Sequence, residues 1–343
     1  MKRKIIASVL ISAFLIAGLW FAQRLLVPKY QGQIVEGAMI EEYYDETTDH
    51  DVIFIGDCEV YENFSTMKLW EEYGITSYIR GSSQQLVWQS YYLLEETLKY
   101  EKPKVVVFNV LSLKYDKPQK EAYNRMTLDG MKWSMSKYND IKASMTEEEN
   151  MLDYMFPILR YHSRWSELEK ADFEHVFEKD KVTHNGYYMR VDIRPQGEFP
   201  EPMPLDDYSF GDNAMKYLDM MTKLCKDNGI ELVLIKAPTE YPYWYEQWDE
   251  QMVDYADRNG LRYINMIPLQ DEIGLDMSVD TYDAGLHLNL TGAEKLSTWF
   301  GKYLVDNFGL EDHRNDPKYT KVYDDKLDFY YKMIEEQKDQ LEE

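Results

Sequence analysis

Cysteine and positive charge are both scarce in this chain of 343 residues. Its two cysteines, Cys58 and Cys225, allow at most one disulfide bond. Lysine and arginine number 38 against 62 aspartates and glutamates, so the formal net charge is −24. Duplex nucleic acid is therefore not expected as a partner, because binding it depends on neutralising phosphates with lysine and arginine. The simplest consequence of the acidity is solubility.

Histidine is also scarce, with six in the chain. Four of them show no metal-ligand spacing with cysteine or carboxylates: His50, His175, His184 and His313. The sequence therefore predicts neither a metal site nor a cofactor. A Cys58–Cys225 disulfide is one possibility for an exported protein. Cys225, however, lies in a helix-like pattern, which favours the interpretation of a small buried apolar residue.

The longest hydrophobic run extends from Ile5 to Ala22 without a charge. Its 18 residues would span about 27 Å as a helix, close to the thickness of a bilayer core. The basic cluster Lys2-Arg3-Lys4 predicts a cytoplasmic N-terminus with the rest of the chain outside. A cleaved signal peptide is the alternative, but residues 19–24 match a small-x-small cleavage site poorly. We expect residues 1–28 to form an uncleaved, single-pass anchor in the cell membrane.

Apolar runs rich in β-branched residues alternate with helical patterns after this segment. This alternation predicts a parallel sheet covered on both faces, and hence a three-layer α/β/α sandwich of the flavodoxin-like type. The predicted strands are Val52–Ile55, Thr76–Ile79, Val105–Val110, Leu232–Ile235 and Tyr263–Asn265. The predicted helices are Ser65–Tyr73, Gln85–Lys99, Ala214–Asn228, Glu246–Asn259 and Gly292–Asn307.

The remaining segments complete the predicted domain organisation. Residues 29–50 are expected to be a linker, 51–312 the α/β domain, and 313–343 a charged, peripheral C-terminal helix. The strand–helix rhythm breaks at about 113–210, which predicts a helical insertion that caps the site, with helices near Ile141–Leu159 and Ser163–Phe177.

Three residues follow or end predicted strands: Cys58, Gly81 and Asn109. Parallel strands end at one edge of a sheet, and ligands bind in the crevice there. Cys58 is therefore a candidate nucleophile. Backbone N–H groups near Cys58 and Gly81, and the Asn109 side-chain amide, are candidate donors to a developing oxyanion.

His287 is the candidate general base, because imidazole titrates near neutral pH and can take and return the nucleophile's proton. Asp283 would orient the ring and stabilise its cation, with Asp280 as an alternative. A protonated His287 would lower the pKa of Cys58, whereas the neighbouring acids Asp57 and Glu59 would raise it. The alternative is that Cys58 is inert and packed.

A second candidate region is the aromatic segment 161–165 in the predicted insertion. Aromatic faces and planar guanidinium groups suit carbohydrates and anionic groups, so His162, Arg164 and Trp165 are candidate substrate-binding residues. Packing within the cap is the alternative role for the same side chains.

These motifs together resemble the SGNH/GDSL hydrolase superfamily, and within it the membrane-anchored, acyltransferase-like branch with DltD-type and alginate-acetylation-type proteins. The resemblance rests on Gly56-Asp57-Cys58, Gly81, Asn109, Asp283 and the run His287 to Gly292. It implies acyl-ester chemistry on a cell-envelope polysaccharide or related polymer, often beside a membrane-bound O-acyltransferase. The chain departs from the family in two places: Cys58 replaces the usual serine, and Asp283 precedes His287 by four residues instead of three.

The resemblance leaves several functions open. An O-acyltransferase and an esterase would use the same catalytic groups, and the esterase would be a hydrolase. A lipase-like enzyme acting on membrane lipids is a third alternative. A different class is a catalytically inactive SGNH-like protein that binds glycan or scaffolds a membrane-bound O-acyltransferase.

Overall fold

A computed structural model describes residues 2–28, 36–179 and 181–342 of the chain. At its centre lies a five-stranded, all-parallel sheet with strand order β2-β1-β3-β4-β5. Helices cover both faces, which confirms the predicted three-layer α/β/α sandwich. The strands are β1 Val52–Gly56, β2 Ser77–Gly81, β3 Val105–Asn109, β4 Glu231–Lys236 and β5 Arg262–Asn265.

The five predicted core helices are present within a few residues of their expected bounds. The described helices are α1 Lys2–Leu26, α2 Glu36–Glu42, α3 Cys58–Tyr61, α4 Thr66–Tyr73, α5 Val87–Thr97, α6 Glu121–Leu128, α7 Met135–Ser144, α8 Met151–Met155, α9 Ile158–Tyr161, α10 Lys170–Phe177, α11 Asp212–Asn228, α12 Glu246–Asn259, α13 Gln270–Ile273, α14 Leu290–Phe308 and α15 Pro317–Glu342. Short 3-10 helices lie at Tyr43–Asp45, Val110–Lys114, His162–Ser166 and Ile267–Leu269.

Successive strand residues point to opposite faces of the sheet, and the helices on each side bury both faces. Val52 and Phe54 of β1 face a core shared with α4, α14 and α15. Ile53 and Ile55 face a second core shared with α5, α11 and α12. Cys225 is buried in α11 and has a free thiol, as the packing interpretation predicted.

The N-terminal helix α1 is long and apolar enough to cross a membrane, and the apolar window within it is wholly exposed. Part of the predicted linker is ordered structure instead. Residues 29–35 lie outside the described part of the chain, but α2 follows and packs against α6. Met39 and Ile40 of α2 are buried, which explains why this segment is helical.

The insertion and the C-terminal helix also differ in detail from the prediction. The pattern expected to form one helix over Ile141–Leu159 is divided among α7, α8 and α9, because Asn150 caps the start of α8 and Pro157 interrupts the chain after it. The charged helix α15 packs on the sheet's first core, where Tyr323 stacks on Trp70 with ring centroids 4.1 Å apart.

Candidate active site at the carboxyl edge of the sheet

The thiol of Cys58 lies at the first turn after β1. Gly56 ends the strand with φ at +155°, and a Cβ there would lie 2.6 Å from a Val60 methyl carbon, so the tight turn requires glycine. Asp57 caps α3, since its Oδ1 accepts a hydrogen bond from the Glu59 backbone N–H at 3.2 Å. This turn leaves Cys58 half-buried at the carboxyl edge of the sheet.

His287 reaches the same edge from the loop before α14. An isolated bridge between Thr281 and Leu288 closes this loop. Asp283 accepts two hydrogen bonds from His287, one from Nδ1 to Oδ2 at 2.6 Å and one from the backbone N–H to Oδ1 at 2.8 Å. The four-residue spacing therefore suits a carboxylate that holds both the ring and the backbone of the histidine.

Cys58 and His287 lie close enough to interact, and each side chain influences the pKa of the other. Because Nδ1 of the ring contacts Asp283, Nε2 is the nitrogen left for the thiol. The structure thus brings together Cys58, His287 and Asp283, the candidate nucleophile, the candidate base and its carboxylate partner.

The electrostatics of the pair differ from the simple expectation of a low thiol pKa. Burial raises the pKa of the Cys58 thiol to about 11, and the charge of His287 offsets this only in part. Burial alone would lower the pKa of His287, but the negative charges of Glu62 and Cys58 and the hydrogen bond to Asp283 raise it well above its usual 6.5.

Glu62 is a site residue that sequence reasoning missed. Its Oε2 lies 3.6 Å from Nδ1 of His287 and accepts a hydrogen bond from the Tyr282 hydroxyl. Burial raises the pKa of the Glu62 carboxyl group. The charge of His287 and the hydrogen bond from Tyr282 lower it and offset part of this rise. Glu62 follows Cys58 by four residues, a helical spacing that places both on one face, and this signal was available in the sequence.

Three of the acidic and imidazole groups at the site are types that bind metal ions: Glu62, Asp283 and His287. The 2.6 Å between Asp283 Oδ2 and His287 Nδ1 is, however, a direct hydrogen bond. Two ligands at about 2.1 Å from one tetrahedral ion would lie roughly 3.4 Å apart. The present geometry therefore suits a proton between these atoms and not a shared ion. The expected absence of a metal stays a prediction.

Asn109 lies at the end of β3 and is fully buried behind the Cys58 turn. Its side-chain amide donates to Asp57 Oδ1 and Glu59 Oε2, both at 3.0 Å, and its Oδ1 accepts from the Ala237 N–H at 3.2 Å. In this arrangement the amide supports the turn, so donation to an oxyanion would require one of these bonds to break. The oxyanion role stays a prediction.

The same network contains a buried ion pair. Lys236 Nζ donates to both carboxylate oxygens of Glu59, at 2.8 and 3.0 Å, and to the carbonyl oxygens of Ala237 and Thr239. Glu59 and Lys236 have virtually no solvent exposure. The sequence indicated Glu59 only as a negative charge beside the thiol. Its ion pair with Lys236 could not be predicted, because the two residues are 177 positions apart in the chain.

Gly81 ends β2 directly opposite Gly56 in the strand register. A Cβ on Gly81 would lie 3.0 Å from the Gly56 carbonyl oxygen, so the two strand ends approach each other closely. This places Gly81 beside the turn that carries Cys58. Its N–H as an oxyanion donor stays a prediction.

Asp280, the alternative partner of His287, is occupied elsewhere. Its buried carboxylate pairs with Lys295 of α14 at 2.5 Å and accepts the Asp276 N–H at 2.8 Å. Asp283 is therefore the carboxylate that contacts the histidine, and Asp280 anchors the loop to α14.

The segment with His162, Arg164 and Trp165 lies at the end of α1. Arg164 donates to the carbonyl oxygen of Leu26 at 2.7 Å and to Asp172 at 3.1 Å, while Trp165 is 73% exposed. His162 is exposed, and its Nδ1 contacts the carbonyl oxygen of Leu159 three residues earlier at 3.0 Å. The contacts of Arg164 join the insertion to α1, and the substrate role of these three residues stays a prediction.

The last part of the insertion does border the site. Residues 190–197 form backbone hydrogen bonds with the loop that carries His287. The Arg194 N–H donates to the Thr281 carbonyl oxygen, and the Ala284 N–H donates to the Arg194 carbonyl oxygen. Arg190 lies over the ring of Tyr282 at 4.6 Å and pairs with Asp192 at 3.0 Å. This extended segment covers the loop that carries His287.

Comparisons with known proteins add no family to this picture: no protein-family model matches the chain, and no curated protein matches it.

Proposed function

We propose that this protein is an extracytoplasmic acyl-transfer enzyme of the SGNH type, acting on a cell-envelope polysaccharide or a related polymer. The observation that carries the proposal is the hydrogen bond between His287 and Asp283, with the Cys58 thiol beside the same imidazole. Its position also supports the proposal, because open parallel sheets bind ligands at the carboxyl edge of their strands.

In the proposed reaction, Nε2 of the neutral His287 ring accepts the thiol proton, and the Cys58 sulfur attacks the carbonyl carbon of an acyl ester. The tetrahedral oxyanion collapses, the bond from the carbonyl carbon to the leaving oxygen breaks, and His287 protonates that oxygen. An alcohol leaves, and a thioester remains on Cys58. A sugar hydroxyl or water then attacks the thioester and gives its proton to His287, which returns it to the departing sulfur.

The charges around the thiol narrow the substrate class. Asp57, Glu62 and Asp283 surround it with carboxyl groups. A neutral sugar hydroxyl therefore fits as the acceptor better than a polyanion, because like charges in a desolvated site repel strongly. Sugar as acceptor makes the enzyme an O-acyltransferase, and water makes it an esterase.

The anchor supports the cellular placement of this chemistry. Helix α1 is apolar enough to span a membrane, and Lys2-Arg3-Lys4 before it favours a cytoplasmic N-terminus. We therefore place the α/β domain outside the membrane, near the envelope polymer. A membrane-bound O-acyltransferase is the proposed supplier of acyl groups.

One observation favours a second function, that of an inactive SGNH-like protein that binds glycan or scaffolds such an acyltransferase. The pKa of Cys58 is raised to about 11 by burial, so little thiolate exists at neutral pH. A protein with a packed, inert thiol at this position would show the same property.

Intact-mass analysis separates the two functions. The full-length protein in detergent is incubated with an activated acyl ester, and peptide mapping locates any adduct. The enzyme hypothesis expects one acyl group on Cys58, none in Cys58→Ala or His287→Ala, and an unchanged adduct in Cys225→Ala, the matched cysteine control. Cys58→Ser should keep partial activity, since His287 can activate a hydroxyl in the same place.

The decisive result comes from cells. If Cys58→Ala, present at the normal level, still supports full acylation of the envelope polymer, the catalytic hypothesis is wrong and the scaffold hypothesis stands.

A further inference from the structure

A cavity of about 470 Å³ lies where α1 meets the insertion, away from Cys58. The end of α1 contributes Trp20, Gln23 and Arg24 to its wall, and the insertion supplies residues from α6 to α10 and the turns between them. The site proposed above uses none of these residues.

The lining of this cavity is basic in a strongly acidic protein. Two acidic side chains, Glu41 and Asp129, face five cationic ones: Arg24, Arg125, Lys132, Lys137 and Lys179. The whole chain carries −24, so this local excess of positive charge opposes the overall trend. A concave site lined with basic groups attracts anions.

Two of the cations have hydrogen-bonding capacity that the described residues do not use. Arg125 is 2% exposed, and its Nη2 is a buried atom without a hydrogen-bond partner in the described ranges 2–28, 36–179 and 181–342. Its other nitrogens contact Glu121 and Asp129. Lys132 makes no ion pair with any described residue and lies over the ring of Tyr44 at 4.4 Å. A buried, unpaired guanidinium nitrogen is costly unless a ligand accepts its bond.

The depth of the cavity relative to the membrane follows from α1. Residues 2–20 are all exposed, whereas Leu25 and Leu26 are buried against the domain. The 16 exposed residues from Ile5 to Trp20, after the basic cluster, span about 24 Å, which is most of a hydrocarbon core. Trp20 therefore lies at the interface, where tryptophan is enriched, and the cavity lies at the level of the lipid headgroups.

The surface beside the cavity is apolar in the way an interface requires. Phe177 is 80% exposed and lies 6.0 Å from Phe21 of α1, ring centroid to ring centroid. Further exposed apolar side chains lie on α8, α9 and α10 and on the segments between these helices: Leu152, Met155, Phe156, Leu159, Trp165 and Phe173. These side chains would rest on or in the membrane surface.

We propose that this cavity binds the phosphate-bearing headgroup of an anionic membrane lipid, with Arg125 and Lys132 as the principal contacts and Lys179, which pairs with Glu41, beside them. The exposed apolar side chains of α8, α9 and α10 then lie against the neighbouring acyl chains. A bound lipid would fix the angle of the α/β domain on the membrane, and this inference does not depend on the chemistry at Cys58.

Native mass spectrometry of the full-length protein, released from nanodiscs with equal phosphatidylglycerol and phosphatidylcholine, tests the proposal. The wild type should retain phosphatidylglycerol in preference to phosphatidylcholine. Lys132→Gln with Lys179→Gln should reduce that preference by roughly tenfold or more, because each basic residue near an anionic surface contributes about 1 kcal/mol. The matched control, Lys142→Gln with Lys170→Gln, removes the same charge from exposed positions on α7 and α10 outside the cavity.

Three results would overturn the proposal. Equal loss in both double variants would mean that general surface charge attracts the lipid. No preference in the wild type would mean that there is no such site. Glycerol 3-phosphate that binds the protein in pure phosphatidylcholine nanodiscs, with the same sensitivity to the cavity variant and no lipid retained, would make a soluble anion the ligand.

Discussion

Asp283 holds His287 at two points, the ring Nδ1 at 2.6 Å and the backbone N–H at 2.8 Å. One carboxylate therefore sets both the path of the loop and the orientation of the imidazole. Glu62 approaches the same nitrogen to 3.6 Å from the other side of the site, on the turn that carries Cys58. Both acids therefore favour the protonated form of the histidine and raise its pKa.

The first prediction concerns stability and pH. The folded-state pKa of His287 is raised, so its contribution to stability is complete below its unfolded pKa of about 6.5 and is lost as pH rises through the folded pKa. His287→Gln should therefore destabilise the protein more at pH 6 than at pH 9 in urea unfolding. The exposed His162→Gln serves as control and should show no such difference. An equal cost at both pH values would contradict the raised pKa.

The second prediction concerns the reactivity of Cys58. With its pKa raised to about 11, alkylation by iodoacetamide should be slow at pH 7 and rise steeply as pH approaches that value. His287→Gln removes the positive charge that partly lowers the pKa of Cys58, so it should slow alkylation near neutral pH. Peptide mapping follows the rate, with buried Cys225 as the internal comparison. Rapid labelling of Cys58 at pH 6 would contradict the prediction.

The third prediction concerns the buried Glu59–Lys236 pair. Lys236→Met should lower the free energy of unfolding by about 3–5 kcal/mol, because it leaves a buried carboxylate without its counter-charge. Adding Glu59→Leu should recover part of this loss, so the double variant costs less than the sum of the single ones. Urea unfolding measures both. Lys223→Met, which breaks an exposed pair with Asp227, should cost about 0–1 kcal/mol, and additive effects at Glu59 and Lys236 would refute the coupling.

The fourth prediction compares two glycines with positive φ. Gly56→Ala should destabilise the protein by about 2 kcal/mol or more, because the new methyl group would lie 2.6 Å from Val60 in addition to the backbone strain. Gly229→Ala has no atom within 4 Å of its Cβ, so only strain of about 1–2 kcal/mol should remain. Thermal unfolding in parallel gives the comparison. A smaller cost at Gly56 than at Gly229 would show that the turn relaxes.

The fifth prediction concerns topology. If α1 spans the membrane with its N-terminus inside, protease added to cells with a permeable outer layer should digest the α/β domain. An epitope placed before Lys2 should stay protected. Recovery of the full-length protein in the soluble fraction, without detergent, would contradict the anchor and with it the placement of the headgroup cavity.

Local pattern was enough to predict most of the fold and the core of the site. The strand and helix positions follow from hydrophobic period and from turn residues, which act between near neighbours in the chain. Cys58 and His287 could be selected because their residue types are chemically distinctive and because they follow or precede elements that the pattern defines. The apolar run of α1 was equally plain, since the signal is composition alone.

Only the tertiary structure decided which distant groups meet. The strand order places β4 beside β3, so Lys236 reaches Glu59 and Asn109 becomes the support of the Cys58 turn. The route of the insertion carries Arg164 to the end of α1 and leaves residues 190–197 to cover the histidine loop. The pKa of Cys58 likewise depends on burial, which no spacing in the sequence expresses. Sequence determines local conformation because its causes are local, whereas desolvation and long-range pairing exist only once the chain has packed.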